Sequence, residues 1–162
     1  GGYGIMRFSI LLPSLFMLVA MAGIVATAIL CMRQTDLKAL IAMSSVSHMN
    51  LVIAAMLIQS DWSYTGAMIM MIAHGLTSSA LFSLANTTYE RTNSRTMILL
   101  RGTTLILPLA GAWWLTILLF NMALPPSVNF YAELLIMVSL FNWSTAAFLA
   151  VTLNLIFTTA YT

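Results

Sequence analysis

The chain has 162 residues, of which 61% are hydrophobic and only 6% charged, and its formal net charge is +2. Soluble domains carry roughly 25% charged residues, so this composition, with a mean hydropathy of +0.99, excludes a water-soluble fold. Six basic residues in the whole chain also exclude the dense basic face that nucleic-acid binding requires.

The uncharged runs at 14–32, 39–60, 62–89 and 102–132 each match or exceed the roughly 20 residues of a bilayer-spanning helix. The expected architecture is therefore all-α, a polytopic transmembrane bundle. Residues 1–12 read as the end of one helix, turning at Pro13 into a second over about 14–32. In the charged corner that follows, Thr35 or Asp36 is expected to cap a helix over about 37–58. A turn at Gln59, Ser60 and Asp61 leads to a helix over about 62–86, with Trp62 at the headgroup boundary. A polar loop is expected over 87–101.

From Gly102 the chain turns apolar again, with Pro108 expected to kink a helix over 102–124. Pro125 and Pro126 then stop it. This break is either a turn between two spans or, the favoured reading, a discontinuous helix resuming over 127–141. A truncated helix over 144–162 closes the chain, and both ends read as cut from a longer polypeptide. No signal peptide is visible at the start.

On this path Arg33, Lys38, Arg91, Arg95 and Arg101 share one membrane surface, while Arg7 and Asp61 lie at the other. The positive-inside rule assigns the basic side to the cytoplasm or the mitochondrial matrix. The loop from Tyr89 to Arg95 is either a partner contact or, more simply, a solvated loop obeying that rule.

Three ionisable side chains remain inside apolar segments: His48, His74 and Glu133. His48 is ten residues beyond Lys38 and His74 thirteen beyond Asp61. At 1.5 Å per residue each is ~15–20 Å from its membrane surface, near the midplane of a ~30 Å core. A charge there costs roughly 2.5–3.5 kcal/mol on insertion scales, so such groups face the bundle interior and mark ion or proton paths. Imidazole exchanges a proton near neutral pH and a carboxylate can accept one, so the trio suits proton relay. The bland alternative is a buried histidine bonded to a backbone carbonyl, or a static ion pair for Glu133.

Ser44 and Ser45 lie one turn before His48, and Lys38 falls near the Ser45 azimuth two turns further back. Thr77 and Ser78 follow His74 on its own face. These stripes are expected to hold water between titrating groups. The single cysteine, Cys31, supports neither a disulfide nor a thiolate metal site. The thirteen methionines are scattered as core filler. No dinucleotide fingerprint, P-loop or Cys-x-x-Cys is present, so no metal or cofactor site is expected here.

Several stretches carry a family resemblance: Arg33-Gln-Thr-Asp-Leu-Lys38 running on to Ser45-Val-Ser-His48-Met, Met71-Ile-Ala-His74-Gly-Leu-Thr-Ser-Ser, Leu84-Ala-Asn-Thr-Thr-Tyr-Glu-Arg91, Trp113-Trp114, Ala123-Leu-Pro-Pro126 and the opening Gly1-Gly-Tyr-Gly-Ile-Met-Arg7. Over about 1–7 and 31–143 the chain resembles the chain 4 family of antiporter-like subunits of respiratory NADH:ubiquinone oxidoreductase. The resemblance implies inverted repeats of helices around a proton-carrying polar axis in the mitochondrial inner membrane. It matches His48 and His74 to midmembrane histidines, Glu133 to the acidic residue of a broken helix on the exit side, and Lys38, less firmly, to a matrix-end cation. Where related subunits carry a lysine four residues after the second histidine, this chain has Ser78. The resemblance further implies other membrane-arm subunits and the lipid bilayer as partners. NADH, FMN, iron–sulfur clusters and ubiquinone would be handled by other subunits. The competing functions are a stand-alone cation/proton antiporter and a non-conducting scaffold subunit.

Overall fold

In an apolar chain the helix interior satisfies its own backbone, so local chemistry decides mainly where each helix starts and stops. A computed structural model describes residues 2–7 and 13–162. It contains α1 (Gly2–Arg7), α2 (Pro13–Met32), α3 (Leu37–Ile58), α4 (Asp61–Thr92), α5 (Thr103–Ile106), α6 (Pro108–Asn121), α7 (Val128–Trp143) and α8 (Thr145–Tyr161). Of the helix expected over 1–12, residues 1 and 8–12 lie outside the described residues.

Ser60 caps α4 with a reciprocal box, its hydroxyl accepting from Ser63 N–H at 3.2 Å while Ser63 Oγ accepts from Ser60 N–H at 3.0 Å. Asp36 occupies the cap position of α3 but, contrary to expectation, makes no side-chain cap bond. Leu37 N–H donates instead to the Arg95 carbonyl at 3.1 Å, and Met97 N–H to the Thr35 carbonyl at 3.0 Å. These two bonds join the α2–α3 corner to the loop after α4, so Arg33, Lys38 and Arg95 lie at one end of the bundle.

Two expected boundaries are corrected. α4 does not end near Asn86 but continues to Thr92, and the connecting loop begins at Asn93 rather than at residue 87. Its last turns are held by Asn86 Nδ2 donating to Glu90 Oε1 at 2.8 Å, and a left-handed Asn93 donates its N–H to Tyr89. Pro108 does not kink one helix. It opens α6 after a separate four-residue turn, α5, because a proline at the first helical position forfeits no helical hydrogen bond.

α3 lies at the centre, packed against α1, α2, α4 and α7, with α8 closing the group against α2 and α7. Its core includes Ile24, Leu51, Val52, Met70, Ile136 and Leu140. The outer surfaces are just as apolar, with Leu18, Ile72, Leu76, Leu109 and Trp113 all exposed. Apolar residues on every face identify lipid as the surrounding solvent.

α2, α3 and α4 are each long and apolar enough to cross a membrane, whereas α6 and α7 are shorter. Their neighbours on α4 show how they cross. Trp62 shares a groove with Trp143, Gly66 abuts Ala132 and Ile136, Ala73 and Thr77 face the 126–129 segment, and Leu84 and Thr88 face Pro108 and Trp113. The order is antiparallel throughout, so α6 and α7 form one discontinuous helix with its proline break opposite the middle of α4.

The α4–α7 contact depends on a glycine. A Cβ at Gly66 would stand 3.0 Å from Ile136 Cγ1, 3.1 Å from Leu135 Cβ and 3.3 Å from the Ala132 carbonyl. Small residues allow such approach between membrane helices. Gly66→Val is expected to destabilise the full-length protein by about 1–3 kcal/mol and Gly66→Ala by less. Thermal unfolding in detergent measures it, and an unchanged midpoint for the valine variant would refute the close contact.

Candidate functional site

The proline break sets the position of Glu133. After Asn121 the backbone turns through Ala123 at a φ of 55° and then through Pro125-Pro126. Ser127 restarts the helix by accepting the Phe130 N–H at 3.2 Å. Asn129 Nδ2 donates to the Phe120 carbonyl at 2.9 Å, satisfying one of the acceptors left open where α6 ends. Glu133 falls in the second turn of α7, ~8 Å along the helix from its start.

This arrangement brings the three midmembrane residues together. His48 Nδ1 lies 3.6 Å from Glu133 Oε1, and the His48 and His74 rings have centroids 5.0 Å apart at an angle of 35°. His48 and His74 are 1% and 4% exposed, and the Glu133 side chain is 13% exposed. The order in space is His74, His48, Glu133, with His48 touching both of the others.

Neither contact is a completed hydrogen bond. The His48–Glu133 distance exceeds the usual 2.7–3.2 Å by a few tenths, and His48 Nδ1, His48 Nε2 and His74 Nδ1 have no hydrogen-bond partner among the described residues. A buried polar atom left unpaired costs about 1–3 kcal/mol. Three such atoms on two touching rings leave donors and acceptors open at the centre of the group. Proton transfer between such rings would need only a side-chain shift or an intervening water to close the gap.

Lys38 does not join this group. It is exposed on the first turn of α3, ~15 Å along the helix from His48. The hydroxyls of the stripe bond within their own helices. Ser44 and Ser45 both donate to the Ile41 carbonyl, at 2.8 and 3.0 Å, and Thr77 donates to the His74 carbonyl at 3.2 Å. Ser78 donates to Gly75 at 3.4 Å. Their protons are turned into their own helices, leaving oxygen lone pairs as what the stripe offers.

Sequence reasoning passed over a second polar contact. Ser47 Oγ donates to Asn154 Oδ1 at 3.0 Å between α3 and α8, with both residues buried. An asparagine within the apolar run 145–161 was the available signal, since an amide in hydrocarbon needs a partner. It ties α8 beside the histidine at a neighbouring position of α3.

The transmembrane family described as NADH:quinone oxidoreductase/Mrp antiporter matches residues 1–159. NADH-ubiquinone oxidoreductase chain 4 of Struthio camelus is 56% identical over 169 residues, covering 100% of this chain and 37% of the relative. The same-named protein of Danio rerio is 57% identical over 151 residues, covering 89% of this chain and 33% of the relative. The chain thus spans about a third of the length of the curated relatives it matches. A solved Mrp complex from Dietzia sp. DQ12-45-1b superimposes with a TM-score of 0.71 at 24% identity, over 88% of this chain and 16% of that one, a likeness of fold.

Proposed function

This chain belongs to the NADH:quinone oxidoreductase/Mrp antiporter transmembrane family, and on that premise we propose that it conducts protons as part of a membrane subunit of NADH:ubiquinone oxidoreductase in the mitochondrial inner membrane. The observation that carries the proposal is the single buried group made by His74, His48 and Glu133 on three different helices. Relatives at more than half identity bear the name of chain 4 of that oxidoreductase, which favours it over a stand-alone antiporter.

In this reading a proton reaches the histidine pair from the Arg33 side and passes from His74 to His48 and then to Glu133. α7 runs from Glu133 toward Trp143, which lies beside Trp62 at the opposite surface. Glu133 therefore heads the half-helix that leads outward. The two imidazoles store and exchange the proton, and the carboxylate receives it from His48 Nδ1. NADH oxidation, with FMN and iron–sulfur clusters, and ubiquinone reduction take place in other subunits. Other membrane-arm subunits and the surrounding lipid are the partners, and the Pro125-Pro126 break interrupts the helix beside the carboxylate.

The test uses the full-length protein in its assembly. The double variant His48→Gln/His74→Gln is expected to lower the protons moved per NADH oxidised, while NADH oxidation by a soluble artificial acceptor is retained. Full proton stoichiometry in that variant would assign the chain to scaffolding instead.

A further inference from the structure

Lys38, left outside the relay, lines a cavity of about 150 Å³ together with Arg95, Ser94, Leu37, Phe82 and Leu100. That volume is well above the ~10–15 Å³ that admits one water. We propose that this cavity binds the phosphate of an anionic phospholipid, with Lys38 and Arg95 as its two cations. The proposal rests on the chain crossing a membrane and is independent of the proton relay.

Depth is the first argument. α3 has 22 residues, a length of ~33 Å against a hydrocarbon core of ~30 Å, so Lys38 in its first turn lies where phosphates begin. α4, at 32 residues, is ~48 Å long and projects beyond that level. Its last turns wall the cavity, and the loop joined to the α2–α3 corner through Leu37 and Met97 brings Arg95 back over it. Phe82 and Leu100 present an apolar flank and the two cations a charged one. A phospholipid has the same pairing of groups.

Charge is the second argument. Among the described residues the only approach within 4.0 Å between a basic nitrogen and a carboxylate is His48–Glu133, so neither Lys38 nor Arg95 is directly neutralised. Glu90 on α4, which accepts from Asn86 at 2.8 Å, and Asp36 at the cap of α3 are the carboxylates at this end, and neither comes within 4.0 Å of either cation. The Arg95 guanidinium is held 4.7 Å above the Tyr89 ring, which fixes the cation in place while leaving its N–H edge available. Arginine and lysine beside the Ser94 hydroxyl make a donor set suited to phosphate oxygens.

The purified full-length assembly, stripped of lipid, is exposed to phosphatidylcholine vesicles, to the same vesicles carrying an anionic phospholipid, or to inorganic phosphate at matched ionic strength. Phospholipid retained per protein is measured by native mass spectrometry. Anionic vesicles are expected to load the wild-type assembly, with Lys38→Gln/Arg95→Gln weakened roughly thirty-fold and Arg33→Gln, on the same surface outside the cavity, no more than about five-fold. Arg95→Lys, which keeps the charge, is expected to lose less than Arg95→Gln. Both substituted side chains are exposed, so helical content should be unchanged. Equal losses in the double variant and in Arg33→Gln would overturn the site. Displacement of the lipid by inorganic phosphate at equal concentration would overturn the lipid as its occupant.

Discussion

Glu133→Gln in the full-length protein is expected to lower proton translocation by roughly 10²-fold, the low end of what one positioned proton-transfer group contributes. Glutamine preserves the volume of the side chain and its ability to hydrogen-bond to His48, but it cannot accept a proton from His48 Nδ1, 3.6 Å away. The variant should therefore assemble and retain NADH oxidation with an artificial acceptor, separating lost conduction from lost folding. Vesicles containing the purified assembly, read with a pH-sensitive dye, provide the measurement. Translocation at the wild-type rate would remove Glu133 from the outward path.

The second large effect concerns order along the route. If His48 and Glu133 act in series, His48→Gln should cost about as much as Glu133→Gln, and the double variant little more than either alone. Two independent losses of roughly 10²-fold would multiply to ~10⁴, so a series arrangement leaves a coupling of about 2.7 kcal/mol, within the range for residues in contact. Proton flux in all four proteins of the cycle decides it. A multiplicative double variant would mean that the residues serve separate paths despite their proximity.

What was legible in advance follows from the range of each interaction. His48, His74 and Glu133 stood out because a titratable group amid apolar residues is expensive in lipid wherever its helix packs. Their convergence was not legible in the same way, since they lie on α3, α4 and α7 and no periodicity connects them. The end of α4 was misplaced for a related reason. Polarity after residue 86 marks where hydrocarbon stops, but the helix continues into water on its own backbone bonds and the Asn86–Glu90 contact. Lys38 stands where the chain path put it, exposed on the first turn of α3 at the basic end of the bundle. The Leu37–Arg95 backbone bond that brings the loop after α4 beside it joins segments that no local pattern relates.

The sequence by itself determined that this protein lives in lipid, which surface carries its basic residues, and which side chains are too costly to be incidental. Those conclusions depend on solvation and on chain-local helix formation, both additive along the chain. Only the tertiary structure decided that α6 and α7 form one interrupted span antiparallel to α4, that Asn129 closes its break, and that two imidazoles and a carboxylate meet at the middle. Packing made those choices through close approaches such as Gly66 against Ala132, and complementarity of shape between distant segments is not written in the order of residues along either one.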